Sequence, residues 1–90
     1  MSMPRVSKDP LRITSEQIRA ARALLRWEQT DLAAASLVSV PTIKRIEMKP
    51  GVLQVQPRTA AALVRAFEDA GLVFIMENGG GPGVRLRNPR

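Results

Sequence analysis

Helix caps and helix-breaking residues divide this 90-residue chain into short segments, and they constrain its fold more than any other feature. Thr14 and Gln17 have the spacing of a capping box, which predicts a first helix from Thr14 to about Arg26. Further along, Pro57 is placed to begin a fourth helix and Gly71 to end it. The spacing of these caps and helix-breaking residues predicts a small domain of short helices.

Two more helices are predicted between these, with a very short connector between them. The second helix opens at Gln29 or Thr30 and ends near Ser36, and Leu37-Val38 follows as a brief connector. Ser39 is then a good N-cap for the third helix. Two short helices joined in this way have the geometry of a helix-turn-helix.

The third helix is predicted to run from Ser39 to about Met48 with one apolar and one basic face. Pro41 is well tolerated in its first turn, and Ile43 and Ile46 face the core. The second helix of a helix-turn-helix enters the major groove of DNA, so residues 39–48 are the predicted recognition helix. Its exposed side carries groups that suit phosphates, base edges and thymine methyls, on Pro41, Thr42, Lys44 and Arg45.

The C-terminal tail has the pattern of a β-hairpin. Leu72 to Met76 is an unbroken apolar run of strand formers, residues 78–83 are rich in turn formers, and Val84 to Arg87 alternate with period two. A lone hairpin is barely stable in water, so it should pair with another copy or lie on the helices. The predicted dimerisation residues are Leu72, Val73, Phe74, Ile75, Met76, Val84 and Leu86.

These patterns divide the chain into three parts. Residues 1–13 are polar and basic and contain two prolines, which favours a flexible arm that either follows a DNA groove or stays a disordered terminus. Residues 14–71 are the predicted helix-turn-helix domain, and residues 72–90 are the predicted hairpin and dimerisation tail.

Composition limits the classes of function. Lysine and arginine number 14 against 8 acids, a net charge of +6 that favours nucleic acid, although a merely basic protein or an anionic membrane surface would fit the charge alone. With no cysteine and no histidine, we expect no disulfide, metal or other cofactor. The apolar runs are too short to span a membrane and the N-terminus lacks a signal-peptide core, so a cytoplasmic location is expected.

Three stretches resemble the Cro/XRE family, the phage-repressor type of helix-turn-helix. They are Gln29-Thr30-Asp31-Leu32-Ala33, Val38-Ser39-Val40-Pro41-Thr42-Ile43 and Arg45-Ile46-Glu47. The resemblance covers about residues 18–47 and continues more weakly through the fourth helix. It implies a mainly α fold: a four-helix, lambda-repressor-like domain followed by a C-terminal β-hairpin or dimerising strand. Such proteins usually bind a two-fold operator as dimers.

The resemblance also implies roles for single residues. Arg22 and Glu47 match the family's structural ion pair between the first and third helices, while Leu37 stands where the family commonly has glycine. Gln29 matches a phosphate-contacting position, and Ser39 caps the recognition helix. The predicted DNA-contacting residues are Gln29, Ser39, Val40, Pro41, Thr42, Lys44, Arg45 and, just after the helix, Lys49.

The leading hypothesis is a homodimeric, sequence-specific regulator of transcription, a repressor or autoregulator that binds a pseudo-palindromic duplex operator. The alternative is an antitoxin, or another module that binds a partner protein through its hairpin and autoregulates its operon. We expect no enzyme, because the 8 acids have neither metal-ligand nor acid/base spacing. The 3% aromatic content argues against stacking on single-stranded RNA.

Overall fold

The computed structural model describes residues 12–88 as four α-helices followed by a two-stranded antiparallel hairpin. Its elements are α1 Ser15–Leu25, α2 Gln29–Ser36, α3 Val40–Met48, α4 Pro57–Asp69, β1 Leu72–Ile75 and β2 Gly83–Leu86. The predicted mainly α fold of four helices with a C-terminal hairpin is confirmed.

Side-chain caps start two of the helices where the sequence predicts. The amide of Gln17 donates to Thr14 Oγ1 over 3.1 Å, and the amide of Thr14 donates to Gln17 Oε1 over 2.9 Å, which completes the capping box of α1. The amide of Thr42 donates to Ser39 Oγ over 3.3 Å at the start of α3. These caps satisfy backbone N–H groups that the first helical turn leaves without partners.

One apolar core joins all six elements. Phe67 of α4 lies at its centre, fully buried, with Trp27 stacked on it at 5.6 Å between ring centroids and Phe74 tilted against it at 5.9 Å. The rest of the core is aliphatic: Ile13, Ile18, Ala21, Leu32, Ile43, Ile46, Leu53, Leu63, Val64, Ala66 and Leu72. A core formed by every element means that each helix is oriented by packing on the others.

The N-terminal boundary of the domain needs a correction. Most of the predicted arm, residues 1–13, lies outside the described residues. Ile13, however, is fully buried, and its carbonyl accepts a hydrogen bond from the amide of Leu53 over 2.9 Å. Thr14 also forms an isolated β-bridge with Val52. Ile13 therefore belongs to the helical domain, because its side chain fills part of the core.

Two polar side chains fasten the hairpin to the helices. Gln17 of α1, 3% exposed, donates through Nε2 to the carbonyls of Ile75 at 3.1 Å and Gly83 at 2.9 Å. Arg87, just after β2, donates through Nη2 to the carbonyl of Glu68 over 2.7 Å. This places a cation at the C-terminal end of α4, where the helix dipole favours positive charge. The hairpin is thus an integral part of the single-chain fold.

The hairpin's register shows that five of the seven predicted dimerisation residues pack on the core of their own chain. Leu72 pairs with Leu86 and Phe74 with Val84, and Leu72 and Phe74 are buried at 0% and 4% exposure. Met76, Val84 and Leu86 pack against the same core. These five side chains lie on the face of the hairpin that packs against the helices, so their own chain covers them. The other two predicted residues, Val73 and Ile75, are half-buried and lie on the opposite face.

Replacing Gln17 tests how strongly the hairpin depends on α1. We expect Gln17→Ala to lower the free energy of unfolding by about 2–3 kcal/mol, because the carbonyls of Ile75 and Gly83 lose a part-buried side-chain donor and α1 loses one half of its capping box. Gln56→Ala, at an exposed glutamine whose side chain makes no capping hydrogen bond, should change it by less than about 0.5 kcal/mol. Urea unfolding followed by the fluorescence of Trp27 measures both. Equal stabilities for the two variants would contradict this account of the hairpin.

Candidate nucleic-acid interface

A tight connector, residues 37–39, places α2 and α3 in sequence. Ser36 Oγ, buried at the end of α2, donates to the carbonyl of Leu32 over 2.7 Å and accepts from the amide of Val38 over 3.1 Å. Leu37 adopts a left-handed conformation with φ 63°, and its amide donates to the carbonyl of Ala33 over 2.8 Å. The turn is therefore built by a serine side chain that sequence reasoning missed and by one residue with positive φ.

Leu37 holds a backbone conformation that favours glycine. A residue with a Cβ atom is strained at this φ by about 1–2 kcal/mol. The side chain recovers little by packing, since it is 91% exposed. The family resemblance places glycine at this position, and the backbone of Leu37 has the geometry that a glycine would adopt without strain.

α3 presents one buried and one exposed face. Ile43 and Ile46 are 0% and 6% exposed and anchor the helix in the core. The predicted DNA-contacting residues are divided between exposed and half-buried positions: Ser39, Pro41, Lys44, Arg45 and Lys49 are exposed, while Gln29, Val40 and Thr42 are half-buried. Seven of these eight follow one another along the connector and α3, so the structure brings them together on one surface.

This surface is electropositive. Lys44 and Arg45 are adjacent on the exposed face, and within residues 12–88 neither has a carboxylate partner. Lys49 follows at the end of the helix, where its Nζ donates to Gln54 Oε1 over 3.0 Å. A cleft of about 130 Å³ between the end of α3 and the next loop is lined by Arg45, Lys49 and Gln54 among others. The positive charge thus extends along α3 as far as Lys49, the residue that caps its C-terminal end.

An ion pair fixes α3 on α1. Arg22 Nε lies 2.7 Å from Glu47 Oε2, Arg22 Nη2 lies 2.7 Å from Glu47 Oε1, and Arg22 Nη1 donates to the carbonyl of Trp27 over 2.8 Å. The side chains of Arg22 and Glu47 are 21% and 7% exposed. Such a bidentate pair specifies direction as well as distance, so it sets the orientation of α3.

The pair shifts the titration of both partners. Burial by itself would raise the pKa of Glu47, but hydrogen bonds from Arg22 and Gln29 and the positive charge of Arg22 outweigh it, so the pKa lies below its usual value. The hydrogen bond to Glu47 raises the pKa of Arg22. Both groups are therefore charged at neutral pH, as the geometry requires.

Gln29 joins this network and does not stand free at the start of α2. Its Nε2 donates to Glu47 Oε1 over 3.1 Å. The phosphate contact implied for Gln29 remains a prediction, and its backbone amide in the first turn of α2 is the group left to make it. Asp31 Oδ2 accepts from the amide of Glu28 over 2.8 Å at the same helix end. Negative charge next to this amide weakens its attraction for phosphate.

The loop after α3 is fastened to the start of α1. The amide of Ser15 donates to the carbonyl of Gly51 over 2.8 Å, and the amide of Gly51 donates to Glu16 Oε1 over 3.2 Å. The backbone hydrogen bonds to Glu16 hold the pKa of that carboxyl below its usual value. This attachment limits the freedom of the segment that follows Lys49.

Other kinds of site receive no support in the described part of the chain. Within residues 12–88 no group of three acidic, cysteine or histidine side chains is placed to hold a metal ion. No helix in the same range is both long and apolar enough to cross a membrane.

Comparison with known proteins adds no family. No protein-family model matches this chain, and no curated protein is similar enough to count as a relative. Support for a function therefore comes from the residues and their geometry.

The stability of the ion pair should depend on pH in a defined direction. Ionised Glu47 stabilises the fold above its ordinary pKa of about 4.3, and this stabilisation is lost as pH falls through the lower pKa of the folded state. Glu47→Gln should be less stable than the wild type at pH 7 by about 1–3 kcal/mol, with the gap narrowing in acid. Urea unfolding between about pH 3 and 7 measures this.

Asp69→Asn, at an exposed carboxylate on α4, is the control and should keep the pH dependence of the wild type. A constant gap between Glu47→Gln and the wild type across this range would contradict the assigned role of the carboxylate.

Leu37→Gly should stabilise the protein, because glycine relieves the strain at positive φ and little packing is lost. We expect the melting temperature to rise by about 4–8 °C for each kcal/mol gained, with a gain of up to about 1 kcal/mol. Leu37→Ala keeps the Cβ atom and its strain, so its melting temperature should stay near that of the wild type. If thermal denaturation shows Leu37→Gly melting below Leu37→Ala, the conformation assigned to the connector is wrong.

Proposed function

We propose that this protein is a sequence-specific double-stranded DNA-binding regulator of transcription with a lambda-repressor-like helix-turn-helix. The observation that carries the proposal is the two-sided α3 at the end of a three-residue connector. Ile43 and Ile46 hold one side in the core, while on the other side Lys44 and Arg45 have no carboxylate partner among residues 12–88. A short helix that exposes a basic face in this way fits the major groove.

In this proposal the residues of α3 contact different parts of the DNA. Val40, Pro41 and Thr42, at the N-terminal end, approach base edges, because the N-terminal residues of a recognition helix lie deepest in the groove. Ser39 Oγ donates to Thr42 Oγ1 over 3.0 Å as well as accepting from the amide of Thr42, so both hydroxyls are oriented before DNA binds. Lys44 and Arg45 supply donors for phosphates or for guanine O6 and N7.

Electrostatics supplies most of the affinity in this proposal. Each phosphate neutralised by Lys44, Arg45 or Lys49 releases condensed counterions, so binding weakens steeply as salt rises. Besides DNA, the proposed binding partner is a second copy of the chain. A homodimer places two α3 helices about 34 Å apart, one turn of DNA, on a pseudo-palindromic operator. This regulator acts as a repressor or autoregulator by covering its operator.

The hairpin's backbone offers an edge for that second copy. The amide of Arg87 donates to the carbonyl of Gly71 over 2.7 Å, so by alternation the hydrogen-bonded pairs of the ladder are Val73 with Arg85 and Ile75 with Gly83. The N–H and C=O groups of the alternate residues, such as Leu72 and Phe74, then point to the outer edges. We propose that the copies pair along such an edge, with Val73 and Ile75 beside it.

The test is binding to short duplexes recovered from a random-sequence pool by the purified protein. Lys44→Ala with Arg45→Ala should weaken binding to the recovered duplex by about tenfold or more while the urea midpoint stays unchanged, since both side chains are exposed. Arg58→Ala with Arg65→Ala removes the same charge from two exposed sites on α4, outside both α3 and the hairpin, so it is the matched control.

The control should keep at least most of the affinity in fluorescence anisotropy at physiological salt. Equal losses in the two double variants would show attraction to net charge alone, and recovery of no enriched duplex would contradict the proposal. An inverted repeat among the recovered duplexes is the result expected for the dimer.

A further inference from the structure

Three large apolar side chains of the described residues stand in solvent, and all lie around α3. Leu37 is 91% exposed before the helix, Met48 is 82% exposed in its last position, and Val52 is 47% exposed in the following loop. Within residues 12–88 no large apolar side chain on α1, α4 or the hairpin is exposed to this extent. Exposed apolar side chains scattered singly need no explanation, but their concentration around the proposed DNA-contacting helix does.

Met48 differs from the other two because helical spacing places it on the same face as the basic residues. It follows Arg45 by three positions, Lys44 by four and Pro41 by seven, and all four residues are exposed. This face of α3 therefore carries cations at its middle and a long apolar side chain at its C-terminal end. The bond between Lys49 and Gln54, at 3.0 Å, ties the next residue to the loop.

We propose that Met48 is a specificity-determining residue that reads the 5-methyl group of a thymine in each half-site. This inference rests on the proposed function, and it adds an apolar contact at the C-terminal end of a helix whose other apolar contact residues, Val40 and Pro41, lie at the N-terminal end. The thymine methyl is the apolar group that base edges present in the major groove. Methionine suits it, because its unbranched and polarisable thioether adapts to an irregular apolar surface.

Duplex DNA is the occupant that the surrounding charge favours. Lys44, Arg45 and Lys49 flank Met48, so an apolar protein surface that covered Met48 would also have to meet three cations. A DNA groove provides an apolar methyl group between two rows of phosphates. The charge and the apolar side chain are thus satisfied together by one partner.

Deoxyuracil provides a direct test, because it differs from thymine only by the missing 5-methyl group. In the duplex recovered by selection, each thymine is replaced in turn by deoxyuracil, and affinities of the wild type are measured by anisotropy. Replacement at one thymine per half-site should weaken binding about fourfold for each buried methyl group lost. The Met48→Ala variant should bind the thymine duplex correspondingly less tightly and show no difference between thymine and deoxyuracil there.

Two further variants separate this role from others. Met48→Leu keeps an apolar side chain of similar volume and should keep most of the preference for thymine. Lys49→Ala should weaken binding to both duplexes equally and leave the preference intact. All three variants should melt like the wild type, since Met48 and Lys49 are exposed.

The outcomes distinguish this inference from the proposed function. A wild type that binds the recovered duplex but is indifferent to deoxyuracil at every position overturns the inference alone, as does a Met48→Ala variant that keeps the thymine preference. Altered self-association of Met48→Ala without a change in methyl preference would assign Met48 to a protein interface and also overturn it. A protein that enriches no duplex overturns both.

Discussion

The orientation of α3 depends on the bidentate contact between Arg22 and Glu47. Transfer of two charges out of water is unfavourable, so a pair of this kind contributes little net stability compared with apolar side chains of similar size. Its contribution is geometric: two parallel 2.7 Å contacts, with Gln29 and the carbonyl of Trp27 completing the network, permit one relative placement of α1, α2 and α3. The outward direction of Lys44 and Arg45 follows from that placement.

The remaining structure makes this placement rigid. Ile43 and Ile46 prevent α3 from rotating about its axis, because rotation would expose them and bury the cations. Gly51, tied to the start of α1, fixes the exit of the chain from α3. Gln17 and Arg87 bind the hairpin to α1 and α4, so the hairpin covers one side of the apolar core. A pre-ordered surface loses less conformational entropy when it binds a partner.

Local signals in the sequence account for most of the fold. Thr14, Ser39 and Pro57 mark three helix starts, because a cap or a first-turn proline acts on residues only three or four positions away. The apolar spacing of α3 likewise reveals which side chains face the core. The surface of α3 was predictable for the same reason, since seven of the eight predicted DNA-contacting residues lie within positions 39–49.

Contacts between distant parts of the chain were not predictable from local patterns. Local patterns identify Gln17 only as a capping residue, yet its side-chain amide donates to carbonyls 58 and 66 positions away. The sequence marks Leu72 and Phe74 as apolar strand residues without telling whether their own helices or a second copy will cover them. Burial of Ile13 and the bond from Gln29 to Glu47 depend on tertiary packing in the same way.

The proposed binding of DNA to α3 is tested most directly by changes in backbone amide chemical shifts when a recovered duplex is added. We expect the largest changes in the connector and α3, residues 37–49, and small changes on the exposed side of α4. Changes concentrated in α4 or the hairpin, with α3 unaffected, would contradict the central claim that α3 is the recognition helix.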